Sequence, residues 1–271
     1  MRNGPPERIV SLAPSNTEIL FAIGAGPRVV GVTRYCDYPL AARSVQADVG
    51  GFMDVNTQAV IDLKPDLVLA GTTFSDRQRD RIIALRDAGI QVEFIKPKTY
   101  LDVIRSIPRI GELTGNKEAA DGLASRMLTE TNRILAKVHP DGQDSEKVKV
   151  YYEEWPGNPT MTVGPGIWIH DMIEMAGGHN VFGYLGGPEP VINPDMVVKA
   201  DPDVIVLGWC GAGSRTDPRR VRERPGWTDV KAVKEGRIHA VHDTFFTRPG
   251  PRLVEGLAHM VDLLSRKGVP P

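Results

Sequence analysis

Cysteine is almost missing from this 271-residue sequence: Cys36 and Cys210 are the only two. That excludes a disulfide framework and any four-cysteine metal site, so the thiols count only singly or as one pair. No run approaches the roughly 20 consecutive apolar residues that a membrane-spanning helix needs. An excess of either charge is also missing, since 33 basic residues face 34 acidic ones for a net charge of −1. Without a Lys/Arg-rich run there is no footprint for nucleic acid or a membrane surface, and the expected partner is a small molecule or another protein. Catalytic signatures are absent as well: no Gly-x-Ser-x-Gly elbow, no His-Glu-x-x-His, no phosphate-binding loop and no Gly-x-Gly-x-x-Gly after a strand. His170, His179, His239, His242 and His259 show no ligand spacing. Neither enzymatic activity nor a resident metal or cofactor is expected. Met1 to Pro6 is polar and lacks both an apolar secretory core and a lipid-modifiable cysteine. The alternatives are a cytoplasmic protein or one whose export signal has been removed.

What is present is an ordinary globular composition, 41% hydrophobic and 25% charged, in a chain long enough for two domains that each bury a core. The chain repeats itself. Val60-Ile61-Asp62-Leu63-Lys64-Pro65-Asp66-Leu67-Val68-Leu69-Ala70-Gly71 is echoed 137 positions later by Val197-Val198-Lys199-Ala200-Asp201-Pro202-Asp203-Val204-Ile205-Val206-Leu207-Gly208. Each copy reads as a helix end, a Pro-Asp turn and an apolar strand covered on both faces, the signature of a parallel sheet. A second echo, Ala25 to Gly31 against Gly177 to Gly183, follows an amphipathic helix in each half.

Between the halves, Asn116 to His139 has no proline and a single glycine, and Ala119, Leu123, Met127, Thr131, Ile134, Leu135 and Val138 recur at helical spacing. The pattern predicts one helix of about six turns. The fold class expected is therefore α/β: two lobes, each with a central, mostly parallel sheet flanked by helices, joined by one long rigid helix. The lobes are placed at residues 1–114 and 145–271, with the connecting helix at 115–140. In the first lobe the predicted order is strand 8–12, helix 16–23, strand 28–32, helix 56–63, strand 67–70, helix 76–88 and strand 92–95.

Loops at the carboxyl ends of such strands are where α/β sheets bind ligands. Those segments carry many of the few aromatics, among them Tyr35, Phe52, Phe74, Trp155, Trp209 and Phe246. Flat rings suit a large planar ligand, although any one of them could equally be a core anchor. Ser15 or Asn16 could cap the helix that follows the first strand. Asp243 and Arg248 on the last rim could grip a ligand or pair with one another.

The segments Arg8 to Glu18, Val30 to Pro39 and Leu63 to Val68, with Ala176 to Phe182 and Arg248 to Arg252 in the second half, resemble the helical-backbone metal-receptor family, the class III periplasmic solute-binding proteins, and within it the cobalamin-binding members. The resemblance implies a non-catalytic receptor of an ABC importer that holds cobalamin or a related corrinoid in an interlobe cleft, acts as a monomer and docks on a membrane permease. By position it assigns Tyr35, Phe52 and Trp155 as ring contacts and Asp243 and Arg248 as polar contacts, with Phe246, Trp209, Ser15 and Asn16 as further rim residues. A family tryptophan falls near Glu189 here. The two docking glutamates of the family correspond to Gln58 and Asp195. The resemblance further implies a periplasmic or lipid-anchored extracytoplasmic location. A siderophore or haem receptor is the alternative within the class. A cytoplasmic metal-chelate enzyme or chaperone, using Cys36 and Cys210, is the alternative outside it and requires a thiol of depressed pKa or a bound metal.

Overall fold

A computed structural model describes residues 4–45, 47–51, 54–71, 76–138, 147–157 and 159–265, with side chains left out at 76–79. By contacts the chain divides into two units, residues 1–97 with 102–128 and residues 98–101 with 129–271.

The first unit opens with β1 (Ile9–Ser11), α1 (Pro14–Ala22), β2 (Val29–Val32), α2 (Thr57–Asp62), β3 (Leu67–Ala70), α3 (Asp76–Asp87) and β4 (Gln91–Phe94). The four strands form one sheet in the order β2-β1-β3-β4, with every pairing parallel. One face carries Val10, Val68, Ala70 and Val92, packed with Val60, Ile82 and Leu85 of α2 and α3. Ile9, Leu67 and Leu69, which alternate with them, are equally buried. Such two-sided burial is why these strands read as unbroken apolar runs. The predicted elements all appear, with no end shifted by more than two residues.

Two helices follow. α4 (Tyr100–Thr114) was not anticipated, although Tyr100, Val103, Ile104, Ile107 and Ile110 make a buried helical stripe. α5 (Lys117–Leu135) is the single helix expected at this place, 19 residues long and so a little over five turns. Residues 98–101 group with the second unit because Tyr100 is anchored there: its hydroxyl shares a 2.9 Å hydrogen bond with Thr131 and its backbone N–H donates to Asp171 at 2.7 Å.

The second unit continues through β5 (Val148–Trp155), β6 (Thr160–Thr162), α6 (Trp168–Met175), β7 (Gly178–Asn180), β8 (Val191–Ile192), α7 (Pro194–Ala200), β9 (Val204–Leu207), α8 (Arg219–Arg222), α9 (Lys231–Lys234), β10 (Ile238–Ala240) and α10 (Leu253–Ser265). β5 is central: it pairs in parallel with β7 and β9, β9 in parallel with β10, and β6 and β8 add an antiparallel edge. The path β7-β5-β9-β10 reproduces β2-β1-β3-β4 of the first unit.

The repeat also persists in side-chain detail. Asn56 and Asn193 are the N-caps of α2 and α7. Lys64 and Asp201, each just before the Pro-Asp pair, are the two non-glycine residues with positive φ among those described, at 47° and 44°. Asp66 accepts hydrogen bonds from the backbone N–H groups of Glu7 and Arg8, and Asp203 accepts one from Lys149. Arg8 and Lys149 each return a side-chain bond to the last carbonyls of the preceding helix, at Leu63 and Ala200. The Pro-Asp turn is thus a clamp that ties the helix end to the start of the central strand, and it recurs because both sheets need it.

Candidate functional site

On the rim of the first unit, α1 begins at Pro14 rather than at Asn16, and its N-cap is Ala13, which makes no side-chain cap bond. Proline suits this first helical position, where no N–H is needed. The expected capping role of Ser15 and Asn16 is therefore not realised. Both are buried, and Asn16 Nδ2 donates to the Ala70 carbonyl at 3.1 Å, joining α1 to the end of β3. Cys36 is buried beside two hydroxyls, Thr17 Oγ1 at 3.1 Å and Thr33 Oγ1 at 3.2 Å. Tyr35, next to it, is 51% exposed. Phe52 and Phe74 lie outside the described residues.

The rim of the second unit is built around the end of β5, where neighbouring residues face opposite sides of the sheet. Tyr151 and Glu153 point into a core of Phe182, Trp209, Val221 and Trp227. Glu153 is fully buried yet surrounded by donors: Arg224 in a bidentate pair at 2.5 and 2.8 Å, Trp209 Nε1 at 2.9 Å and Tyr151 OH at 2.8 Å. Arg224 in turn lies 4.7 Å from the centre of the Trp227 ring. A buried carboxylate with this many charge-assisted bonds is a structural tie, not a free catalytic group.

Tyr152 and Glu154 face the other side. Tyr152 packs on Phe246, with ring centres 6.1 Å apart. Burial and the nearby Glu154, Asp243 and Cys210 push its hydroxyl well above the usual tyrosine value. Burial, reinforced by Glu189, raises the Glu154 carboxyl to about 8. Asp243 sits in a cradle of backbone donors, Gly211 N–H at 2.7 Å and Gly213 N–H at 3.1 Å. Both glycines adopt positive φ, 75° and 55°, the conformation that lets the loop turn its amides toward the carboxylate.

The expected ring contacts separate by burial. Trp155 is 50% exposed at the tip of β5. Trp209 and Phe246 are 3% and 0% exposed: Trp209 is held by Glu153, and the Phe246 carbonyl accepts from Trp168 Nε1 at 2.6 Å. Both belong to the core of the unit rather than to its open surface. Arg248 is half-buried on the same rim as Asp243. Gln58 and Asp195 are exposed at the second position of α2 and of α7, 137 residues apart and so equivalent under the repeat. Sequence reasoning missed the Glu153 tie and the pair Tyr152 and Glu154. The signal was there in Tyr-Tyr-Glu-Glu-Trp, two carboxyls ending a strand whose partners are buried, but the partner of the first, Arg224, lies 71 residues away.

The remaining candidates for chemistry carry none. Partial burial and the carboxyls of Glu154, Asp243 and Glu189 push the Cys210 thiol up to about 11, the reverse of an activated nucleophile. Both cysteines are free thiols. Among the described residues no three His, Cys, Asp or Glu side chains are arranged to hold a metal ion, and no helix is long and apolar enough to cross a membrane.

Residues 9–244 match the family described as "Periplasmic binding protein". The chain belongs to that family. Periplasmic binding proteins are the substrate-binding parts of ABC transporters; they bind and deliver a small molecule, work with a membrane permease, and are not enzymes. Among curated relatives, an uncharacterized ABC transporter substrate-binding lipoprotein of Bacillus subtilis is 35% identical over 95% of this chain and 79% of its own length. A cobalamin-binding protein of Halobacterium salinarum is 33% identical over 95% of this chain and 69% of its own. Among solved structures, a possible iron-binding, periplasmic solute-binding protein of Staphylococcus epidermidis superposes with a TM-score of 0.83 at 27% identity, over 97% of this chain and 100% of the other. Each unit carries a sheet flanked by helices, in keeping with the α/β fold of that class.

Proposed function

We propose that this protein is the receptor of an ABC importer for cobalamin or a related corrinoid, and that it works outside the cytoplasmic membrane. The observation that carries the reading is an exposed ring on the rim of each unit, Tyr35 in the first and Trp155 in the second. Rings give a broad planar ligand contact area at low entropic cost, and the likeness to a cobalamin-binding relative over nearly the whole chain supports the cargo. Phe52 is assigned to the same ring set from its sequence position, and Asp243 with Arg248 to the polar contacts. Asp243 reaches a ligand with its oxygens already oriented by Gly211 and Gly213. Ser15, Asn16, Trp209 and Phe246 then act behind the contact surface, holding the rim in shape.

Docking on the permease is assigned to Gln58 and Asp195, the equivalent exposed positions at the starts of α2 and α7. Complementary charge at such points sets orientation and encounter rate more than affinity. The carboxylate is kept on one copy and replaced by an amide on the other, whose Nε2 bonds Asp62 at 2.8 Å.

Calorimetric titration of the purified protein with cyanocobalamin tests the cargo. Micromolar or tighter binding without turnover is expected, and absence of heat at about 100 micromolar ligand removes the corrinoid assignment. A second reading, a haem or iron-chelate receptor, is favoured by the structural likeness to a possible iron-binding protein and by the exposed phenol of Tyr35, a potential axial ligand. Visible absorption after haemin addition separates the two: a shifted, saturable Soret band with wild type that is lost in Tyr35→Phe supports haem.

A further inference from the structure

Buried polar groups are nearly always hydrogen-bonded, because each one left unpaired costs about 1 to 3 kcal/mol. Among the described residues of the second unit, two such groups on one face of β5 break this rule: the Tyr152 hydroxyl and Glu154 Oε2. Tyr152 is fully buried and Glu154 only 7% exposed. They are two residues apart on one strand, so they project side by side, and their electrostatic coupling to each other, to Asp243 and to Cys210 places them at one rim position. The Tyr152 hydroxyl rests directly on Gly208, where a methyl group would come within 1.8 Å of it. The backbone beyond is pinned, with the Cys210 N–H donating to the Glu154 carbonyl at 3.0 Å. Two unpartnered polar atoms held this firmly are a prepared half of a hydrogen-bonding arrangement.

The charges around Glu154 define what completes it. Glu189 approaches from the segment before β8, and Asp243 from the turn after β10. Cations nearby are engaged elsewhere: Arg224 on Glu153 across the sheet, and Arg215 on the carbonyls of Gly211 and Ala212. His242 lies 3.5 Å from Asp243, and Arg248 shares the rim. With carboxyls outnumbering available cations, Glu154 keeps its proton most easily, and a neutral carboxyl offers one O–H donor and one C=O acceptor on the same edge. That is the complement of a primary or secondary amide.

We propose that Tyr152 and Glu154 form a subsite for an uncharged amide substituent on the edge of the cargo, and that it selects amide-rimmed chelates against chelates rimmed by carboxylates. The proposal rests on the reading of this protein as a chelate receptor and narrows the class of chelate. A ligand carboxylate placed here would face Glu189 and Asp243, with Arg224 and Arg215, among the described residues, already engaged elsewhere, whereas an amide meets both halves of the carboxyl and the phenol.

Two experiments test it. In the ligand-free protein, infrared difference spectra of wild type minus Glu154→Gln, with carboxyl-labelled glutamate, are expected to show a protonated acid carbonyl at pH 7; an ionised Glu154 at pH 7 overturns the proposal. Affinities for cyanocobalamin, a neutral ferric trihydroxamate and haemin are then measured from pH 6 to 9.5. Wild-type affinity for an amide-bearing cargo is expected to fall roughly tenfold between pH 7 and 9.5 as the competent form is lost. Glu154→Gln, which keeps a donor and an acceptor, is expected to bind with no such fall, and Tyr152→Phe to weaken binding severalfold with its circular dichroism unchanged. A flat wild-type profile, the same pH dependence in Glu154→Gln, or preference for haemin at neutral pH overturns the subsite. If the trihydroxamate binds with the expected profile and cyanocobalamin does not, the corrinoid reading falls while the subsite stands. If cyanocobalamin binds with a flat profile, the reverse holds, and if no chelate binds, both fall.

Discussion

At the scale of single residues, burial decides which polar groups support the fold and which remain open to a ligand. Arg224 is the partner that makes a buried Glu153 tolerable, so Arg224→Met leaves that carboxylate without its counter-charge, held only by the Trp209 N–H and the Tyr151 O–H. Breaking a buried pair from one side costs about 3 to 5 kcal/mol, and a drop of that size in urea-unfolding stability is expected. Glu154 works in the opposite sense. Its folded-state pKa of about 8 lies above the ordinary 4.5, so between those values the native state holds a proton that the unfolded chain has released. Stability therefore falls as pH rises through that window and levels off above it. Glu154→Gln has no proton to lose, and its melting temperature measured from pH 5 to 9 is expected to lack this decline while wild type shows it. Trp155 stands apart from both because half of its surface is exposed. Trp155→Ala is expected to leave the melting temperature within a degree or two, since exposed positions change stability by about 0.5 kcal/mol or less, while chelate affinity drops about tenfold, the loss of one stacking ring.

Elements show why the chain repeats. The helix, Pro-Asp turn and strand recur because the turn performs one mechanical task in each sheet, tying the end of α2 to β1 and the end of α7 to β5 through Asp66 and Asp203. Burial would raise the Asp203 carboxyl, but the ammonium of Lys231 at 2.7 Å and the Lys149 N–H outweigh it and hold the group below its usual range. The stabilisation is thus present above the ordinary aspartate value and is lost as pH falls through the lowered one. Asp66→Ala and Asp203→Ala are each expected to cost about 1 to 3 kcal/mol, the range for unpaired backbone donors. Chemical denaturation at pH 7 and again at pH 3 checks this, and the Asp203→Ala deficit should shrink at the lower pH. The repeated pattern was legible because it is local in sequence. α4 was not legible although its apolar stripe is regular, because Pro108 stands inside it and breaks the helical pattern.

For the whole molecule, the repeat bears on delivery of cargo. Gln58 and Asp195 occupy equivalent positions, so a permease that reads one charge at each faces an asymmetric pair in this chain. Gln58→Glu restores the second carboxylate. Its expected effect is a severalfold faster association with the cognate permease in lipid nanodiscs at low salt, diminishing as salt is raised, with chelate affinity unchanged. An unchanged association rate assigns docking to other residues, with Asp54 and Asp62 as the candidates.

Local chemistry written along the chain determined a great deal: parallel α/β halves, the duplicated turn, a long helix expected at 115–140 and found at 117–135, and the lack of catalytic or metal-binding motifs follow from short-range patterns of apolar runs, prolines and spacing. Which side of β5 each glutamate faces, and what meets it there, was decided only by the tertiary structure. Glu153 and Glu154 are neighbours of the same type, yet one is neutralised by an arginine 71 residues distant and the other has its pKa raised by burial and by Glu189. The same packing put Trp209 and Phe246 inside and left Tyr35 and Trp155 at the surface. Burial and charge pairing are sums over neighbours brought together by the fold, and no segment of the sequence contains those sums on its own.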